Sequence, residues 1–95
     1  MYFIELNPDK YKFYTDIGLN WNYSDKKVYL NPLFVESIID EEVWGTKEPF
    51  RTCICSPSGA KYYICFNSSF ERDKFTKDVK NTINSVYKHI NKGES

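Results

Sequence analysis

The chain is short of the residues from which most reactive sites are built. It has a single histidine (His89), a single methionine, four glycines and two arginines, Arg51 and Arg72, among its 95 residues. With so few arginines, bidentate recognition of phosphate or carboxylate has few carriers. No glycine-rich phosphate loop, serine-centred elbow or Asp/Glu/His metal cluster can be read in it. An excess of either charge is also missing. The 13 basic and 13 acidic side chains cancel, whereas a dedicated duplex nucleic-acid binder carries a clear surplus of Lys and Arg.

Long apolar runs are absent, so no membrane insertion is expected. The opening Met1-Tyr2-Phe3-Ile4-Glu5 lacks the basic segment of a secretory signal and meets a charge at Glu5. Three cysteines, an odd number without an export signal, read as reduced thiols, and a cytoplasmic location is expected.

What the chain does have is rings: seven Phe, eight Tyr and two Trp, enough to build a core. Aromatics favour sheet positions and interfaces. Residues 1–92 are expected to form one small α+β domain with 93–95 as a loose tail.

Along the chain, Tyr2, Ile4 and Leu6 alternate with Phe3 and Glu5 as in a strand. Asn7-Pro8-Asp9-Lys10 admits two readings. It is either a turn into a strand at 11–15, laying Tyr11 and Phe13 beside the first strand, or the capped start of a short helix ending at Gly18. The strand reading is preferred. Leu19, Trp21 and Tyr23 alternate with asparagines, as do Val28 and Leu30 beyond Ser24-Asp25-Lys26-Lys27. A four-residue loop there is expected to pair Tyr23 with Val28 and Trp21 with Leu30. Asn31-Pro32 ends that strand, and residues 34–43 read as another in which one of Ile38 and Ile39 faces away from the core or a bulge intervenes.

The clearest unit is 49–92, a hairpin followed by an amphipathic helix. Ser56-Pro57-Ser58-Gly59 has proline and glycine where a type I turn with a left-handed Gly59 wants them. The resulting register pairs Ile54 with Tyr62 and Thr52 with Ile64. Phe50, Ile54, Tyr62, Ile64 and Phe66 then share one face, and Arg51, Cys53, Cys55, Lys61, Tyr63 and Cys65 the other. Ser68-Ser69-Phe70-Glu71 is a capping box, and Phe75, Val79, Ile83, Val86 and Ile90 form a helical stripe up to Gly93. The expected architecture is an antiparallel sheet or open roll of about five to seven short strands with this one C-terminal amphipathic helix packed on it.

From Pro49 to Ile90, the hairpin Phe50…Ser58-Gly59-Ala60-Lys61-Tyr62-Tyr63…Phe66 and its helix resemble the end of a pleckstrin-homology-like domain. That resemblance implies an open barrel plugged by the helix and, in some members, lipid-headgroup binding. Lys27-Val28-Tyr29-Leu30-Asn31-Pro32…Val35-Glu36-Ser37-Ile38 with Ser58-Gly59…Tyr62 resembles the small flagellar FlbD-like proteins. Neither resemblance implies an activity.

Two chemical constellations are outweighed by plainer readings. Cys53, Cys55, Cys65 and His89 lack the C-x2-C spacing of a zinc knuckle and read as small thiols on the outer face of the hairpin. The same cysteines lack an adjacent activating base, so no nucleophile is expected. No catalytic, cofactor or metal residue is therefore assigned. The acidic stretch Glu36, Asp40, Glu41, Glu42 and Glu48 reads first as a solvated strand end and loop, and second as a mimic of nucleic acid or a dock for a basic partner. Trp44 within it reads equally as a core plug or an interface anchor.

The favoured function is a non-catalytic protein-interaction module, of the kind a phage or mobile element uses to regulate or inhibit a host protein. Its partner is another protein or a second copy of the chain. Trp44, Trp21, Tyr63, Arg51, Lys61, Glu41 and Glu42 are the expected contact residues. Single-stranded nucleic-acid binding through Tyr63, Tyr29, Arg51, Lys61 and the helix lysines 74, 77 and 80 ranks second, and lipid-headgroup binding third.

Overall fold

Residues 3–17, 20–23 and 27–93 are described by the structure, a computed structural model, with side-chain surroundings given for 3–15 and 27–90. In chain order they form β1 (Ile4–Leu6), β2 (Lys12–Ile17), β3 (Asn20–Tyr23), β4 (Val28–Leu30), a 3-10 turn (Pro32–Phe34), β5 (Ser37–Glu42), β6 (Phe50–Cys55), β7 (Lys61–Phe66) and α1 (Ser69–Gly93).

Turn chemistry builds the centre of the sheet. The Ser56 amide donates to the Ala60 carbonyl at 2.9 Å and the Gly59 amide to the Ser56 carbonyl at 3.0 Å. Gly59 sits at φ +90°, a conformation that side-chain-bearing residues rarely adopt. This locks the β6–β7 register at Ile54 opposite Tyr62 and Thr52 opposite Ile64, as the sequence pattern requires. β2 pairs with the far side of β7, setting Phe13 beside Ile64, and β3 and β5 complete an antiparallel sheet in the order β3-β2-β7-β6-β5.

At Asn7 the turn reading holds. Its carbonyl accepts from the Lys10 and Tyr11 amides, and its side chain accepts from the Asp9 amide at 3.0 Å. Two expected pairings are corrected. β2 does not lie against β1; it runs between β3 and β7. Tyr23 pairs with Tyr14 and Trp21 with Asp16, not with Val28 and Leu30, which instead join Leu6 and Ile4 in a separate two-stranded sheet, β1–β4. Alternation specifies which face a strand buries, not which neighbour it takes. β3 takes the nearer neighbour in sequence, β2, and the four apolar side chains of β1 and β4 cover the open flank of the core. The proposed loop at 24–26 itself lies outside the described residues. The strand expected over 34–43 begins only at Ser37, because Asn31 caps the 3-10 turn by accepting from the Leu33 amide. Of the isoleucine pair, Ile38 is half-buried and Ile39 is exposed on the outer face.

The core is one cluster: Ile4, Leu6, Phe13, Ile54, Ile64 and Phe66 from the sheets, against Phe75 and Val79 of α1. Burying each such side chain stabilises by about 1.5–3 kcal/mol. The helix starts where the capping box places it, with the Ser68 hydroxyl accepting from the Glu71 amide at 3.2 Å. Its 25 residues span about 37 Å, and only the first half is fully seated. Val79 is buried, Ile83 and Val86 are half-buried, and Ile90 is 36% exposed.

One polar device lies among these apolar groups. Register carries Phe13, Ile64, Thr52 and Asp40 across the inner face, so Asp40 of β5 points beneath the helix. The buried Thr76 hydroxyl of α1 donates to the Asp40 carboxylate at 2.7 Å and lies 3.0 Å from the Thr52 hydroxyl, itself buried. These contacts fix how far α1 lies along β5 and β6.

Urea denaturation should separate the two halves of the helix. Val79→Ala is expected to cost about 2 kcal/mol and Ile90→Ala under about 0.5 kcal/mol. Thr76→Val should cost about 0.5–1.5 kcal/mol, since Asp40 stays open to water and Thr52 keeps its 3.4 Å bond to Asp40, and the Thr52→Val/Thr76→Val double change should cost less than the sum of the single ones.

Candidate interaction surface

Among the described residues the outer face of the five-stranded sheet carries no helix, yet it is not bare. Tyr63 of β7 stacks on Tyr14 of β2 at 5.1 Å between ring centroids, and the Arg51 guanidinium lies 4.9 Å over the Tyr63 ring. Arg51 Nε donates to Glu41 Oε2 at 2.9 Å, and Arg51 Nη1 donates to the Tyr14 hydroxyl. Tyr63 is only 7% exposed as a result. The sequence places Tyr63 and Arg51 outward correctly. It does not show that they cover each other, because Tyr14 comes from a strand some fifty residues away along the chain (the pair is 14 and 63).

The three cysteines share this face. Cys53 is buried, with its Sγ 3.6 Å from Cys55 Sγ, while Cys55 and Cys65 are half-buried. Burial first, then the Cys55 thiol beside it, pushes the Cys53 thiol up to about 12. Burial, reinforced by neighbouring Cys53, does the same to the Tyr63 hydroxyl, up to about 12. Burial also raises Cys65, against the opposing pull of Arg51. For Arg51, burial works to lower the pKa, but the bond to Glu41 and the surrounding charges raise it on balance. Protonated thiols of this kind are poor nucleophiles and poor ligands. His89 lies exposed near the far end of α1, and among the described residues no three metal-ligating side chains converge.

A different arrangement occupies the end of β5. The chain leaves the strand through Val43, whose amide donates to the Pro49 carbonyl at 2.7 Å. The Thr46 hydroxyl donates back to the Val43 carbonyl at 2.9 Å, and Gly45 takes φ +93° to complete the turn. Trp44 at its tip meets Phe50 edge-on at 5.8 Å and remains 72% exposed. Beside it, Arg72 of α1 lies over the other aromatic wall, 5.4 Å from the Phe50 ring centre, and donates to the Glu41 carbonyl at 3.4 Å. The core-plug reading of Trp44 is thereby removed.

The remaining expected contact residues scatter. Glu41 is engaged by Arg51, whereas Glu42 is exposed with its carboxylate 3.9 Å from Arg72. Lys61 is exposed at the start of β7, opposite Cys55 and Asp16. Trp21 lies on the other edge strand, β3, and its side chain falls outside the description. Thus Tyr63, Arg51 and Glu41 come together on the outer face, and Glu42 and Trp44 follow Glu41 along the chain at the end of β5. Ile39, exposed on the same strand, is not among the expected contact residues, although the adjacent isoleucines signal that one of them faces away from the core.

A groove of about 290 Å³ lies between Tyr11 and α1, floored by Phe66 and Phe75 and rimmed by Lys10, Lys74, Glu71 and Asp78. Burial and then the charges of Asp78 and Glu5 raise the Tyr11 hydroxyl. The rim's two cations and two anions give the groove no preference for a charged ligand. Comparison with family models, curated proteins and solved structures finds no match for the chain.

Alkaline pH should unfold the chain from its outer face. Cys53 and Tyr63 would ionise near 9.0 and 10.0 when unfolded but near 12 when folded, so the folded chain keeps protons the unfolded one loses. This stabilisation is complete below pH 9 and lost as pH rises to about 12. The thermal midpoint is expected to fall across that range, and at pH 8 Cys53 should react with a thiol reagent only as fast as the chain opens.

Proposed function

We propose that the chain is a non-catalytic protein-interaction module whose partner anchors on Trp44. The observation that carries this reading is a 72%-exposed indole on a turn held by three restraints: the Val43–Pro49 backbone bond, the bond from the Thr46 hydroxyl to the Val43 carbonyl and the positive φ of Gly45. A large exposed ring in a fixed position loses little freedom on binding, and Trp is the residue most enriched at binding hot spots. Ile39 and Glu42 extend the surface along β5.

The stacking reading of the outer face is served less well. Base stacking needs an open ring face, and Tyr63 is flanked by Tyr14 and capped by Arg51. The biological setting we favour is regulation or inhibition of a host protein in the cytoplasm by a phage or mobile element. It draws on the eight asparagines and the preference for lysine over arginine, usage that suits an AT-rich genome.

Trp44→Ala should leave the unfolding free energy within about 0.5 kcal/mol of the parent, since the ring is mostly in water. A photo-crosslinking residue at position 44 is expected to label one discrete protein in the source cell. The same probe at Phe70, exposed at the start of α1, should not label it. The affinity of the labelled protein should fall about 10- to 100-fold for Trp44→Ala. Equal labelling from both positions, or an unchanged affinity, would remove the anchor.

A further inference from the structure

β5 ends the sheet, and among the described residues no strand pairs with its outer edge. Four of its six residues, Ser37, Ile39, Asp40 and Glu42, are exposed. Such an edge presents unpaired backbone donors and acceptors that template another strand. We propose that this edge takes up an extended basic segment of a partner protein as an added strand, with one of the segment's side chains against Trp44. The proposal rests on the protein-interaction reading above and specifies the partner's chemistry.

Charge selects the occupant. Residues 36–48 carry five carboxylates and one lysine, in a chain whose total charge is zero. Arg51 and Lys12 engage Glu41 and Glu48 from within the molecule, at 2.9 and 3.2 Å. Glu36, Asp40 and Glu42 are exposed along the edge, although Asp40 accepts from the Thr76 hydroxyl at 2.7 Å and Glu42 lies 3.9 Å from Arg72. Ile38 and Ile39 give the first half of the strand an apolar side chain on each face, and the acids follow. A complementary segment therefore has apolar residues opposite the isoleucines and Lys or Arg opposite residues 40–42, a cation being able to reach the Trp44 ring as well.

A second copy of the chain fits poorly. Antiparallel self-pairing centred on Ile39 sets Glu42 opposite Glu36, and pairing centred on Glu41 sets Asp40 opposite Glu42. Like charges directly opposite are destabilising, so the edge repels itself while attracting a basic strand. Asp40 adds to this, because a carboxylate pointing inward on an edge strand is a known guard against edge-to-edge association.

The test is a fluorescence-anisotropy titration of the full chain with a labelled peptide of alternating lysine and valine. Saturable binding is expected, with amide shifts confined to Ser37–Glu42 and the Trp44 indole. The same peptide N-methylated at alternate residues keeps its charge but cannot pair; it should bind about tenfold more weakly. Glu36→Lys and Glu42→Lys should each weaken binding by a similar factor at an unchanged thermal midpoint. Equal binding of the methylated peptide would mean charge attraction alone and overturn strand addition. So would a concentration-dependent dimer that slows amide exchange within Ser37–Glu42, which would make a second copy the occupant. If the peptide does not bind while the position-44 crosslink persists, the basic strand is wrong and the interaction reading stands; loss of both overturns both.

Discussion

The inner face of the β6–β7 hairpin is the surface on which every other element is placed. Ile54 and Ile64 lie side by side there because Gly59 sets the register, and Phe13, Phe66, Phe75 and Val79 pack around them. A one-residue slip at the turn would put Ile54 and Ile64 on opposite faces, bringing either Arg51 and Cys53 or Tyr63 under the helix. The outer cluster depends on that same register. Tyr63 reaches Tyr14, and Arg51 reaches both Glu41 and Tyr63, only while the apolar residues between them face the core.

What could be read from the sequence divides along sequence distance. The hairpin, its two faces, the Ser68 cap and the buried start of the helical stripe depend on residues a few positions apart, and all are present. The pairings of β1 with β4 and of β2 with β7 join segments roughly 26 and 50 residues apart (Ile4 with Leu30, Phe13 with Ile64), and alternation carries no information on such partners. The stripe shows the complementary failure. Ile90 continues the helical period, but periodicity does not reveal where the sheet beneath it ends.

The acidic residues show the limit most clearly. In sequence, Asp40, Glu41 and Glu42 are three equivalent charges at a strand end. In the fold each has a separate role: Asp40 accepts from Thr76 beneath the helix, Glu41 bonds Arg51 on the outer face, and Glu42 faces water near Arg72. The alternation of the strand separates them, and the identity of their partners comes from elements that sequence neighbours do not reveal. Trp44 was ambiguous for the same reason; whether a ring plugs or protrudes depends on Phe50 and on a turn closed by Thr46 and Pro49.

These roles bear on how a sheet of this size can leave one side open. α1 crosses the inner face and reaches β5 through Thr76 and Arg72, so the last strand is held by side chains on its inner side and by β6 along one edge. That support comes from one flank only, and among the described residues no strand pairs with the opposite edge. An ordered, uncovered edge would be a hazard if it were apolar throughout; here its apolar half is two isoleucines, and its second half is acidic. The carboxylate that anchors α1 over β5 is one of the same charges that oppose self-pairing. Packing of the helix and protection of the edge are therefore carried by one residue, Asp40, and a change there would be felt in both.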